Sequence, residues 1–215
     1  MRHNVIKFCC LLTISAPLSF TNAHALLIDN DDGTITDTET NLMWLKDLNL
    51  TDTLGVDDVL NGGDTNGALQ WQDAIDWANA LVFANFDDWR LPTADATCYD
   101  PNAFLTFNCT DSELGELYYE SLGNTAGSLS NPGPFINGPI SSQFWTSTEF
   151  NDELAFDFHF NNGGQHPWQK AGNRSLTNVI AVREINSVPV PEPTTLLLIS
   201  GGLVGFSVLY GNKKG

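Results

Sequence analysis

The sequence predicts an α+β fold built on an antiparallel sheet, and three observations carry that reading. Short β-prone runs broken by turn residues come first, two stripes of apolar residues at helical spacing follow, and strict period-two alternation closes the domain. Hairpins, then helices, then hairpins is the order of an α+β chain.

The first hairpins lie in "LLIDNDDGTITDTETNLMW". Asp32-Gly33 is a hairpin turn between "LLID" and "TIT", and "TETN" turns the chain into "LMW". The next stretch, "KDLNLTDTLGVDDVLNGGDTNG", is polar, glycine-bearing and aperiodic, which predicts a long surface loop. In "LQWQDAIDWANALVF", Trp71, Ala74, Ile75, Ala78, Leu81 and Val82 fall on one helical face. A second helix is predicted at "TDSELGELYYESLG", where Thr110 and Glu113 have capping-box spacing. Leu114, Leu117, Tyr118 and Leu122 make its inner face, and Gly123 its stop.

Residues 127–142 are rich in Gly, Pro, Ser and Asn and read as loop. "SQFWTSTEF" and "ELAFDFHF" read as strands. In the second, Leu154, Phe156, Phe158 and Phe160 alternate with Ala155, Asp157 and His159. Asn161 to Gly164 supply a turn, and "NVIAVREI" is the last strand expected.

The two ends have a different character. Arg2 and Lys7 precede the apolar "FCCLLTISAPLSF", and Ala23-His24-Ala25 closes it. This is the pattern of a secretory signal peptide over residues 1–25, with Cys9 and Cys10 removed along with it. The domain is expected at residues 26–187. Beyond it, residues 188–215 hold a proline linker, an apolar stretch at 195–210 and Lys213-Lys214. That stretch sits at the short edge of what spans a bilayer, and the terminal lysines orient it as a single transmembrane helix with the domain outside.

Charge narrows the function classes. Between residues 26 and 190 only five lysines and arginines face 25 acids, a formal charge of −20 against −17 for the whole chain. Such a surface repels nucleic acid and anionic lipid. Six tryptophans and 13 phenylalanines argue for a packed core rather than a disordered acidic segment. Cys98 and Cys109, the two cysteines outside the signal segment, are expected to form one disulfide in an exported chain.

Two resemblances follow from these motifs. "VPEP", a short apolar span and a basic end resemble the PEP-CTERM sorting signal of Gram-negative bacteria. The resemblance implies that Pro191, Glu192 and Pro193 are read by an exosortase, a membrane-embedded cysteine transpeptidase. It implies retention in the inner membrane, then release towards the cell surface or the extracellular matrix, in systems tied to exopolysaccharide and biofilm formation. The motifs "DNDDGTITDTETNLMW", "WQDAIDWANAL", "DWRLPT", "ELGELY", "FWTSTE" and "NVIAVRE" resemble, in this order, the C-terminal domain family of the Lcl collagen-like adhesin. That family has been a domain of unknown function, similar to the C-type-lectin-like and formylglycine-generating folds. The resemblance implies two helices packed on twisted antiparallel strands, with Trp44, Trp71, Trp89, Arg90, Pro92, Trp145 and Arg183 as structural motif residues.

Candidate sites are few. Asp29, Asp31 and Asp32 invite a calcium loop. With Gly33 at its sixth position, however, the first falls on Ile28, which has no side-chain oxygen, so a turn is the expected role. His159 and His166 would need a third ligand before they made a zinc site, and no metal or other cofactor is predicted. Asp87, Asp88 and Arg90 read as a structural carboxylate–guanidinium group. Trp168, beside Gly163, Gly164 and Pro167, is the candidate for stacking on a sugar. There is no Gly-x-Ser-x-Gly elbow and no P-loop, and the late cysteine pair of formylglycine-generating enzymes is missing. The sequence therefore predicts an exported, non-catalytic binding domain whose partner is a neutral or divalent-bridged polysaccharide. The alternatives are a secreted enzyme with an unrecognised site and a purely structural matrix component.

Overall fold

Asp31 and Gly33 adopt positive φ angles of 58° and 90°, and between them the chain reverses at the predicted Asp-Gly turn. In the computed structural model, which describes residues 27–56, 66–138, 143–172 and 175–185, this turn joins β1 (Leu27–Asp29) to β2 (Thr34–Asp37). A second turn at Asn41 (φ 56°) leads into β3 (Leu42–Leu45). The three strands pair antiparallel, with Ile35 opposite Trp44. A later strand, β7 (Val182–Glu184), joins on the far side of β3, giving the order β1-β2-β3-β7. The first sheet therefore unites the beginning and the end of the domain.

The second sheet is a meander of β4 (Gln143–Glu149), β5 (Leu154–His159) and β6 (Gly164–Gln169). β6 is absent from the sequence reading, because Gly164 and Pro167 weaken its strand pattern. Its six register pairs with β5, from Leu154–Gln169 to His159–Gly164, nonetheless build a regular ladder. The turn between them needs a glycine. Gly163 has φ 82°, and a Cβ there would lie 2.4 Å from the Tyr119 hydroxyl.

Helical structure is sparse, so the fold is α+β with sheet predominating. Helix α1 (Leu50–Thr53) is a single turn inside the stretch predicted as loop. It forms because Leu48 and Leu50 are buried and the Thr51 hydroxyl donates to the Gly67 carbonyl at 2.7 Å. Helix α2 (Trp71–Ala80) buries Trp71, Ala74, Trp77 and Ala78. Val82, expected on that face, lies beyond the helix end and is 73% exposed. Helix α3 (Glu113–Glu116) widens into a π turn at Leu117–Ser121. Its cap is Ser112, whose hydroxyl accepts from the Gly115 amide at 3.1 Å, rather than Thr110. The capping box fails because the Glu113 carboxylate is taken by Arg90. Leu114, Leu117, Tyr118 and Leu122 are buried as expected.

The two sheets are joined by extended chain rather than by helices. Arg90 and Val182 exchange backbone hydrogen bonds of 2.8 and 2.9 Å, and the Ser147 amide donates to the Pro92 carbonyl at 2.8 Å. The "DWRLP" segment thus touches the first sheet at one end and β4 at the other. The stretch before β7, expected to be strand throughout, instead crosses to β4, where the Trp145 amide donates to the Asn178 carbonyl at 3.1 Å. Tryptophans fill the seam. Trp44, Trp89 and Trp145 are essentially inaccessible, and the Trp145 and Trp71 indoles donate to the carbonyls of Leu69 (2.9 Å) and Thr146 (2.8 Å).

Among the described residues, no helix is long and apolar enough to cross a membrane. The predicted signal peptide at residues 1–25, the motif Pro191-Glu192-Pro193 and the span at 195–210 lie outside the described residues.

Candidate functional site

Lys46, Arg90, Lys170 and Arg183, the described lysines and arginines, are each committed to a carboxylate. The Arg90 guanidinium donates to both Glu113 oxygens at 2.8 and 2.7 Å, and Glu184 stands 3.7 Å away. Arg183 grips Asp88 at 2.6 and 2.9 Å while its guanidinium lies 3.8 Å over the Phe86 ring. Lys46 binds Asp29 at 2.5 Å. Lys170 binds Glu149 and caps the Trp71 ring at 4.5 Å. The pairings hold the Asp29 and Asp88 carboxyls below their usual range, chiefly through the hydrogen bonds from Lys46 and Arg183. Each described lysine and arginine is thus engaged by an acid of the same domain.

A groove of about 480 Å³ opens beside the first sheet, lined in part by Glu113 and Glu184, the two acids around Arg90. Thr40, Asn41 and Leu42 form one wall, Glu184 and Ile185 another, and Asp111, Glu113 and Glu116 the third. Glu116 is its unusual member. The single proton of the Ser121 hydroxyl goes to Asp37 at 2.6 Å, and Glu116 faces the same oxygen from 3.3 Å. Burial first, and the Asp37 charge second, push the Glu116 carboxyl up to about 7. When protonated, Glu116 can donate to the Ser121 oxygen instead of competing for its proton.

A second polar cluster lies on the β5–β6 pair. Asp157 sits opposite His166 across the ladder, and His159 follows two residues later on the same face. Asp157 is fully buried and His166 is 4% exposed. His166 Nδ1 stands 2.5 Å from Asp157 Oδ1 and His159 Nε2 stands 3.8 Å from it. Neither carboxylate oxygen of Asp157 and neither ring nitrogen of His166 makes a hydrogen bond, so the 2.5 Å approach lacks a hydrogen bond's direction. Burial, aided by the charge of His166, lowers the His159 imidazole to about 4. Burial also raises the Asp157 carboxyl, against the pull of His166. The residue of ligand type that the sequence left unannounced beside the two histidines is therefore Asp157. Its signal is the i, i+2 pair of Asp157 and His159, but the strand β6 that carries His166 is the element the sequence hides.

The other predicted residues occupy distinct places. Cys98 and Cys109 are disulfide-bonded, with Cα atoms 5.6 Å apart. Trp168 packs partly buried against the core, its ring 5.3 Å from His166, at the border of the histidine cluster. Asp29, Asp31 and Asp32 shape the first turn. Asp29 Oδ1 accepts from the Asp31 amide, and Asp32 Oδ1 accepts from the amide and hydroxyl of Thr34. The Lys46 ammonium occupies the other Asp29 oxygen.

The family profile of the Lcl C-terminal domain matches residues 33–183, a stretch that begins after β1 and takes in the remaining strands as far as Arg183 in β7. The chain belongs to the Lcl C-terminal domain family. Several residues singled out from the sequence gather at the seam: Arg90 and Pro92 link the sheets through backbone hydrogen bonds, the Trp71 and Trp145 indoles donate across it, and Arg183 ties β7 to Asp88. A second profile, the PEP-CTERM protein-sorting motif, matches residues 189–211 and marks an exported protein processed by an exosortase. No curated protein matches the chain.

Proposed function

We propose that this Lcl C-terminal domain is a non-catalytic binding module, carried to the cell surface or biofilm matrix by its sorting signal. Its ligand is a polysaccharide that is neutral, cationic or bridged by a divalent ion. The observation that carries this reading is the commitment of Lys46, Arg90, Lys170 and Arg183 to carboxylates. Sulfate and carboxylate polymers are held by free arginine and lysine forks, and here the described lysines and arginines are already engaged by acids inside a −20 field. The groove beside β3 and β7 offers hydroxyl, amide and carboxylate groups, which suit sugar hydroxyls and amines. Kinship with lectin-like folds, implied by the motif order, is in keeping with this role. The exosortase is the processing partner, and the inner membrane is the station before release.

The test uses the full chain in detergent, passed over immobilised heparin at low salt and printed against a panel of neutral, amino and acidic glycans with and without calcium. Flow-through on heparin and retention by neutral or amino sugars are expected. Retention on heparin that moderate salt abolishes would overturn the reading, because it requires a free basic patch.

A further inference from the structure

We propose that Asp157, His159 and His166 form a binding site for a divalent first-row transition ion of the zinc class, with an open coordination position. One donor atom from each residue lies within 4.8 Å of the other two. Tetrahedral zinc with Zn–N and Zn–O bonds near 2.0–2.2 Å holds its donors roughly 3.3 Å apart. The observed separations of 2.5 Å and 3.8 Å from Asp157 Oδ1 bracket that value, so small side-chain shifts suffice.

Satisfaction of polar atoms is the stronger ground. A buried carboxylate and a buried imidazole without hydrogen bonds are each costly. A simple ion pair between Asp157 and His166 would recover most of that cost by swinging into a straight N–H···O bond. Here the two atoms crowd one another without making it, and a second imidazole is brought alongside, its ring centroid 4.9 Å from the first. One cation among the three satisfies them together. The donor set decides its kind. Calcium and magnesium take six or more ligands, nearly all oxygen, whereas two imidazoles and one carboxylate suit zinc and its neighbours.

The fold also prepares an entrance. His159 keeps 12% of its side chain exposed, and Phe104, 73% exposed on the loop closed by the disulfide, lies 5.1 Å from the His166 ring. Gln143 Nε2 stands 2.8 Å from His159 Nε2 across the β4–β5 ladder. Metal entry displaces this amide, and three protein donors leave the fourth tetrahedral position free for water or a ligand oxygen.

The experiment strips the detergent-purified full chain with a chelator and titrates it with zinc chloride, by calorimetry and by thermal unfolding. One zinc per chain and a raised unfolding midpoint are expected. His159→Ala and Asp157→Asn should each weaken zinc binding by at least about tenfold, since even outer-shell partners of a metal contribute that much. Gln143→Leu removes a competitor rather than a ligand and should retain binding. His3 and His24, the remaining histidines, belong to residues 1–25, ahead of the domain in sequence, so loss of binding in His159→Ala assigns the zinc to the cluster. Because His159 is partly exposed, that variant stays folded even if His166→Ala does not. Zinc binding below one equivalent in the wild type, or unchanged in His159→Ala, would overturn the proposal. So would equal competition by calcium.

Discussion

Glu116 shows how one residue sets a pH dependence. Its carboxyl lies at about 7 in the fold against 4.5 in an open chain. The folded state therefore holds a proton that the unfolded state has released between these values. Stability contributed by Glu116 is present below about pH 4.5 and falls as pH rises towards 7. His159 acts in the opposite sense, since its folded value of about 4 lies below its usual 6.5, and it loses stability as pH falls through that range. The two partly cancel, so the whole-protein profile is a poor readout and a difference is needed. Glu116→Gln keeps the neutral form at every pH. Relative to wild type it should gain stability steadily from pH 4.5 to 7 in chemical unfolding, reaching a plateau above. A difference that is flat with pH would show that Glu116 ionises normally. None of this was legible in the sequence, where Glu116 is one acid among 26. Its shift comes first from burial and then from the charge of Asp37, which is distant in sequence.

At the scale of elements, the strongest patterns survive and the weak ones mislead for physical reasons. The alternation in "ELAFDFHF" identifies β5, yet it implies a wet polar face. Phe156 and Phe158 are buried, but so are Ala155 and Asp157 on the other face. The cysteine loop helps to explain this: Thr106 pairs with Gln165 beside β6, and the Gln165 amide donates to the Asp95 carbonyl at 2.9 Å. A loop with little secondary structure therefore extends the second sheet, and no sequence period records it. Its order depends on the Cys98–Cys109 closure, which spans a sequence separation of 11. Replacing both cysteines by serine should cost about 3 kcal/mol by the loop-entropy relation. Denaturant unfolding of oxidised wild type against the double variant measures it. A cost under about 1 kcal/mol would mean that the loop is held by its ladder contacts alone.

On the scale of the whole molecule, the fold closes late. β7 completes the first sheet by pairing Leu42 with Glu184, Met43 with Arg183 and Trp44 with Val182. Val179, Ile180, Ala181 and Val182 are fully buried, and the Ile185 amide donates to the Asn41 carbonyl at 2.9 Å. Domain and sorting segment therefore meet within a few residues, since the sorting profile begins at residue 189. The prolines at 189, 191 and 193 cannot continue a strand ladder, which sets a boundary in the backbone itself. Removing residues 188–215 leaves the described contacts in place, and the shortened chain should unfold in one cooperative transition at an unchanged midpoint. Removing residues 178–215 takes away β7, the Arg183–Asp88 pair and four core side chains, a loss on the order of the 5–15 kcal/mol that typically holds a domain folded. That chain should show no transition. Thermal unfolding of the two truncations by circular dichroism decides the matter: a lowered midpoint in the first would place the sorting segment within the fold, and a retained transition in the second would deny that β7 closes the domain.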